Sequence, residues 1–213
     1  MFLHEQLVVG AYQVNCHLLV CPETREAVII DPGDDVEAIL EMIPEKAKVV
    51  KILLTHAHID HIGAVNAVRG KTGAPVYLHP EDVPLAVGVR DQAMVLGLPG
   101  RAYDPVENTL PLKSQEVVRF GNVELSVLHT PGHSPGSVSF YYSGAPKKVV
   151  FAGDTLFAGS IGRTDLWRGD MEVLLEAIQK KILTLPPETI VYPGHGPETT
   201  VAYEKKTNPF LRD

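Results

Sequence analysis

The placement of the histidines constrains this 213-residue chain more than any other feature. In Thr55-His56-Ala57-His58-Ile59-Asp60-His61-Ile62-Gly63, four side chains able to hold a metal fall within six positions. They stand directly behind residues 49–54, a β-branched and apolar run interrupted only by Lys51. Such a run reads as a buried strand, and buried strands belong to sheets covered on both faces. Residues two apart on an extended segment point to one side, so His56 and His58 can close on one ion from the strand end. Asp60 and His61 lie past the turn into the next helix and can reach a second ion roughly 3.5–4 Å away.

The remaining pattern is mixed α/β. Strands are expected at 3–9, 12–20 and 27–30, the first two as a hairpin, then at 49–54, 76–79, 117–120, 123–129, 137–142, 149–152 and 190–192. Helices are expected at 36–42, at 61–69 with Gly70 as the stop, and at 171–183. Residues 81–98 read as an irregular helical stretch able to cover a pocket. No linker rich in Pro, Gly and Ser divides the chain and no internal repeat is visible, so a single domain over 1–213 is expected.

A net charge of −7, with Lys and Arg scattered singly or in pairs such as Lys147-Lys148, opposes binding to a phosphate backbone. No apolar stretch approaches the roughly eighteen residues that span a bilayer, and the N-terminus lacks the pattern of a signal peptide. Neither nucleic acid nor a membrane is an expected partner, and the cytoplasm is the expected location. Cys16 and Cys21 lack a second pair at metal-binding spacing and read as buried or half-buried thiols in a reducing compartment. Oligomeric state is not legible in the pattern.

Three further ligand candidates stand where strands meet Gly- or Pro-rich loops, irregular backbone that can aim side chains into a shared site. These are His133 in Thr130-Pro131-Gly132-His133, Asp154 in Gly153-Asp154-Thr155, and His195 in Pro193-Gly194-His195-Gly196. The whole set is five imidazoles and two carboxylates, a mixture suited to zinc, iron or manganese rather than calcium or magnesium. A structural zinc site would instead close on four ligands, usually with cysteines among them. The lone residues His4, His17, His79 and His129 read as surface or core histidines, with His129 supporting the loop of His133.

The succession HxHxDH, Pro-Gly-His, Gly-Asp-Thr and Gly-His resembles the metallo-β-lactamase superfamily, in order and content, along nearly the whole chain. The resemblance implies a four-layer αββα sandwich with the metal site at one edge of the two sheets. It implies two divalent ions per chain, zinc in first place with iron or manganese as alternatives. His56, His58 and His133 would hold one ion, Asp60, His61 and His195 the other, and Asp154 would bridge them. Asp31, in Asp31-Pro32-Gly33, matches a motif whose Asp supports the site without being a regular ligand. Metal binding can lower the pKa of water from 15.7 to near 7, or about 12 kcal/mol in favour of hydroxide. Metal-bound hydroxide would then attack an acyl carbonyl, with Asp60 and Asp154 as catalytic carboxylates and no Ser or Cys nucleophile.

Within the superfamily, Asp154 sets the chain apart from true β-lactamases, which generally lack an Asp at this position. Ser160-Ile161-Gly162-Arg163-Thr164-Asp165 resembles a segment shared by glyoxalase II-like hydrolases and persulfide dioxygenases. Residues 192–197 look more like general hydrolases of the superfamily. Residues 207–212 look like the segment at which full-length glyoxalase II passes into its helical second domain, which 1–213 lacks. The implied substrate is a small-molecule thioester, a hydroxyacylglutathione such as S-lactoylglutathione. The alternatives are a persulfide dioxygenase with one iron and a lactonase or esterase of the same superfamily. Phe157, Tyr192 and residues 94–98 are the expected pocket residues. Arg163 is a candidate for a substrate carboxylate, or for an ion pair with Asp165.

Overall fold

Strands β1 (Leu3–Val9), β2 (Val14–Val20), β3 (Glu26–Ile30), β4 (Lys48–Leu53), β5 (Val76–Leu78) and β6 (Leu110–Pro111) form one sheet in sequence order, in a computed structural model that describes residues 1–212. The pairings up to β3 are antiparallel, and those from β3 to β6 are parallel. A parallel pairing needs a crossover, and helices supply it. α1 (Val36–Glu41) joins β3 to β4, while α2 (Ile59–Ile62) and α3 (Val65–Thr72) join β4 to β5. α4 (Val83–Val87) and α5 (Val89–Val95) lie between β5 and β6.

The second sheet starts as an antiparallel meander of β7 (Val117–Phe120), β8 (Val123–His129), β9 (Val138–Tyr142) and β10 (Val149–Gly153). A small hairpin, β11 (Leu156–Phe157) with β12 (Ser160–Ile161), precedes α6 (Met171–Ala177). β13 (Ile190–Pro193) then pairs in parallel with β10, and β14 (Thr199–Thr200) lies antiparallel beside it, followed by α7 (Val201–Thr207). Asp170 caps α6, its side chain accepting from the Val173 N–H at 3.1 Å.

Strand alternation divides the core into three layers, which makes the whole a four-layer αββα stack. On β3, Ala27 and Ile29 face the helices of the first half with Ile39, Val65 and Leu85. Val28 and Ile30 face the second sheet, meeting Val127, Phe140 and Phe151. Beyond the second sheet, Val150 and Val191 pack on Leu174 and Ile178 of the α6 segment and on Val201 of α7. Covering on both faces explains why all seven residues of β2 are buried.

The two sheets are tied together at one edge. The Asn15 N–H donates to the Gly194 carbonyl at 2.7 Å, and the Val138 N–H to the Thr55 carbonyl at 2.8 Å. All the ligand-bearing loops leave the strands at this edge.

Several element boundaries differ from the sequence expectation. The helix expected at 61–69 is two short helices, and Gly70 lies inside α3. The actual stop is Gly73, at φ 70°, whose N–H donates to the Arg69 carbonyl. The strand expected from residue 12 begins at Val14, because residues 11–13 make the hairpin turn, with Gln13 at φ 56°. Residues 81–98 resolve into α4 and α5, separated at Gly88. α7 and the short strands β6, β11, β12 and β14 carry little periodicity and were not expected.

Candidate metal centre

Two loops from the first sheet, after β3 and after β4, converge. Asp31 follows β3 in a left-handed conformation, φ 51°, and its carboxylate accepts from the Thr55 N–H at 2.7 Å and the Thr55 hydroxyl at 2.6 Å. The same carboxylate faces His61 Nδ1 at 3.0 Å. Thr55 Oγ1, having donated its proton to Asp31, is left to accept from His56 Nδ1 at 3.1 Å. These assignments follow from the hydrogen-bond network: Nε2 of His56 is left without a proton, and Nε2 of both His56 and His61 faces inward. From the second sheet, His133 Nδ1 donates to the Arg163 carbonyl at 2.7 Å and His195 Nδ1 to the Tyr12 carbonyl at 2.9 Å, so both present Nε2 as well.

The inward atoms cluster tightly. His133 Nε2 lies 3.2 Å from His56 Nε2 and 2.8 Å from His58 Nδ1. His61 Nε2 stands 3.3 Å from Asp154 Oδ1, and His195 Nε2 lies 3.3 Å from Asp60 Oδ2 and 3.6 Å from Asp154 Oδ2. Asp154 Oδ2 is also 3.4 Å from His133 Nε2, so this carboxylate touches both groups. The donor atoms of His56, His58 and His133 lie within 4.8 Å of one another, as do those of His56, His61 and Asp154 and those of Asp60, His61 and His195.

Electrostatics fit the same picture. Burial, reinforced by the neighbouring imidazoles, holds His56 well below the usual histidine range. Burial and then His133 push His58 down to about 3. Both rings therefore offer lone pairs at neutral pH. Burial opposes charge on His61, but Asp154 and Asp60 outweigh it and hold His61 well above its ordinary value. Burial would likewise raise Asp60 and Asp154, yet the imidazoles beside them, His61 first, hold both carboxyls below the usual range.

The donor set fits a divalent metal on three grounds. His61 Nε2 and Asp154 Oδ1 are buried without a hydrogen-bond partner, a costly condition that a cation nearby relieves. Tetrahedral ligands with bonds of about 2.0 Å stand about 3.3 Å apart, close to the separations found here. The backbone also makes room: a Cβ on Gly194 would meet Asp154 Oδ1 at 2.1 Å and His61 Cε1 at 2.8 Å.

A cavity of about 900 Å3 opens beside the cluster, lined on one side by His58, Asp60, His133, Asp154 and His195. Phe157 lines it, with its ring 6.2 Å from that of His195. Arg163 lines it too, but Nε and Nη2 each donate to Asp165 at 2.7 Å. From residues 94–98, Val95 and Leu96 reach the lining, whereas Met94 points to solvent and Leu98 packs on the first core. Tyr192 is not a pocket residue. Alternation along β13 turns it between the sheets, where it stacks on Phe151 at 5.4 Å. The lone histidines stay out of the cluster: His4 and His17 pair at 3.0 Å, and His79 stacks on His129. His129 Nε2 donates to the Pro135 carbonyl at 2.9 Å and so does brace the loop of His133. Cys16 and Cys21 are both buried and free.

Two supporting residues escaped sequence reasoning. Asp82, fully buried, accepts from the Ala57 N–H at 2.9 Å, the Ser134 hydroxyl at 2.7 Å and the Gly136 N–H at 2.6 Å. It therefore pins the His56–His58 segment to the His133 loop. Gln92 of α5 donates to the Ala57 and Leu85 carbonyls, each at 2.9 Å, and accepts from the Ile59 N–H at 3.0 Å. Neither role has a local signal, because both partners are remote in sequence.

Comparison with known proteins agrees with this architecture. A family model described as the metallo-beta-lactamase superfamily matches residues 9–195. The probable metallo-hydrolase YqgX of Bacillus subtilis is 42% identical over 209 residues, 97% of this chain and 96% of that protein. The hydroxyacylglutathione hydrolase GloC of Haemophilus influenzae is 38% identical over 213 residues, 97% of each chain. Among solved structures, BLEG-1 B3 metallo-beta-lactamase superposes with a TM-score of 0.89 at 44% identity, covering 99% of this chain and 100% of that one. TTHA1623 in a di-iron-bound form gives 0.86 at 42% identity, with 97% and 100% covered. With the ligand cluster at the shared edge of its two sheets, the chain belongs to the metallo-β-lactamase superfamily and is a metallo-hydrolase.

Proposed function

We propose that this protein hydrolyses acyl thioesters, hydroxyacylglutathiones such as S-lactoylglutathione being the first to test. The observation that carries the reading is the cluster of five imidazoles and two carboxylates, of which His58, His133, His195 and both carboxylates form one wall of an open cavity. The likeness to GloC supports the thioester. His56, His58 and His133 are the proposed ligands of one divalent ion, Asp60, His61 and His195 of the other, with Asp154 between them. Zinc is the expected metal. Iron is the alternative supported by the likeness to TTHA1623, and manganese is a third.

When bound, such a metal pair supplies Lewis acidity, which acidifies water and polarises a carbonyl oxygen. The chain's own residues set the rest. Asp60 lines the cavity and is held ionised by His61, so its carboxylate can take a proton from the attacking water. Asp31 keeps His61 Nδ1 protonated and its ring in place, through the 3.0 Å contact. A thiol has a pKa of about 8.5, so its thiolate leaves near neutral pH with little acid assistance.

Thiol release from S-lactoylglutathione, by protein of measured metal content and by a His58→Ala control, tests the proposal. Release that disappears in the control, from a parent holding two metals, is the expected result. No release from metal-replete protein would sink the hydroxyacylglutathione assignment. The likeness to BLEG-1 supports a second reading, opening of a β-lactam ring, against which Asp154 stands. A chromogenic cephalosporin in the same assay separates the two.

A further inference from the structure

The cavity walls facing the ligand cluster are apolar. Leu85 and Leu96 come from α4 and the end of α5, Phe157 and Ile161 from the β11–β12 hairpin, and Leu166 and Trp167 from the loop after it. Charge is scarce on them. Among the described residues the one cation in the lining is Arg163, already paired with Asp165, while Asp91 adds a carboxylate. Arg168 rests over the Trp167 ring at 5.2 Å, outside the lining. Apolar side chains also crowd the rim, where Val95 is 85% exposed and Trp167 45%.

A lactoyl group would fill little of about 900 Å3 and would set its hydroxyl against hydrocarbon. The two carboxylates of glutathione would find no unpaired cation among the described lining residues, and burying a carboxylate without one is strongly unfavourable. An alkyl chain has no such conflict, and each methylene buried is worth roughly fourfold in affinity.

We propose that this cavity receives an apolar acyl group of several carbons, lying against Leu96, Phe157 and Trp167, with the polar carrier directed to the rim. The inference rests on the thioester reading but moves its substrate from the hydroxyacylglutathiones toward thioesters of apolar acids. In the reaction, water oxygen bonds to the acyl carbon, the C–S bond breaks and its electron pair leaves on sulfur. The products are a carboxylate, a thiol and one proton released to solvent.

Two measurements test it. Trp167 is the sole tryptophan, so its emission reports on the cavity directly. Titration with the non-hydrolysable S-hexylglutathione and S-methylglutathione should show the hexyl compound binding at least tenfold tighter, and equal affinities would overturn the proposal. In turnover, acetyl, butanoyl and hexanoyl thioesters of N-acetylcysteamine and of glutathione should show kcat/KM rising about fourfold per methylene. S-lactoylglutathione as the best substrate, with no rise along the series, would overturn the proposal and leave the thioester reading standing. Cleavage of no thioester, together with tight hexyl binding and a chain-length rise on simple hexanoyl esters, would remove the thioester reading and uphold the apolar acyl cavity. Leu96→Asp should lower the hexanoyl-to-acetyl ratio of kcat/KM at least tenfold at unchanged metal content. An unchanged ratio also counts against the proposal.

Discussion

At the residue scale, Asp154 is the side chain that touches both halves of the cluster, through His61 on one side and His133 on the other. Asp154→Ala should therefore abolish turnover, by about 10³-fold or more, and leave fewer than two tightly held metals per chain. Full turnover with two ions in the variant would show the bridging assignment to be wrong. Asp82 stands one layer further out and holds loops rather than metals. In Asp82→Asn one of its three donors must face an amide N–H₂, so a buried backbone N–H loses its acceptor at a cost of about 1–3 kcal/mol. The expected result is a lower unfolding temperature with a reduced kcat/KM at saturating metal, and a variant unchanged in both would remove the positioning role. The two residues also mark what a sequence discloses. Asp154 is legible because its Gly-Asp-Thr context falls at a strand end, whereas Asp82 sits in a helical stretch where a carboxylate reads as solvated surface.

At the element scale, the β1–β2 hairpin carries a pH-sensitive pair. His4 Nε2 lies 3.0 Å from His17 Nδ1, against the rings of Phe151 and Tyr192. Burial pushes His4 down to about 4 and His17 well below its ordinary 6.5. The folded state thus holds both rings neutral, while the unfolded chain takes up protons as pH falls through 6.5. Their contribution is fully present above pH 6.5 and is lost as pH falls toward 4. A double variant, His4→Phe with His17→Leu, should lose about 3 °C less than the parent between pH 7 and pH 5, the shift that about 1 kcal/mol produces in a domain of this size. Identical pH profiles in calorimetry would exclude the pair as the source. Long strands such as β2 and β8 were legible because their alternation and apolar density are set locally. The break between α2 and α3 was not, because a lone Gly63 in an apolar stretch is tolerated inside a helix as readily as it ends one, and the stop at Gly73 competes with Gly70.

At the scale of the whole molecule, the two halves repeat a plan that the sequence hides. In each, a meander ends in a parallel pair, β3 with β4 and β10 with β13. Asp31 follows β3 as Asp154 follows β10, and His56 follows β4 as His195 follows β13. Ligands gather where such strands end, so the site lies at the edge where the Asn15–Gly194 and Val138–Thr55 backbone bonds tie the sheets. The αββα stack was accessible only through the motif resemblance, since periodicity alone does not say which strands share a sheet. This placement makes the metals part of the fold's stability, because they connect loops of both sheets and would relieve buried atoms left without partners, such as His61 Nε2 and Asp154 Oδ1. A ligand at about 1,000 times its Kd stabilises the native state by about 4 kcal/mol. For a domain of this size that corresponds to roughly 8–16 °C in Tm. Removal of the metals by a chelator, verified by elemental analysis, should lower Tm by about that much, and readdition of zinc or iron should restore it. An apo-protein that melts at the holo-protein temperature would mean that the hydrogen bonds of Asp31, Asp82 and Gln92 hold the two sheets at this edge unaided.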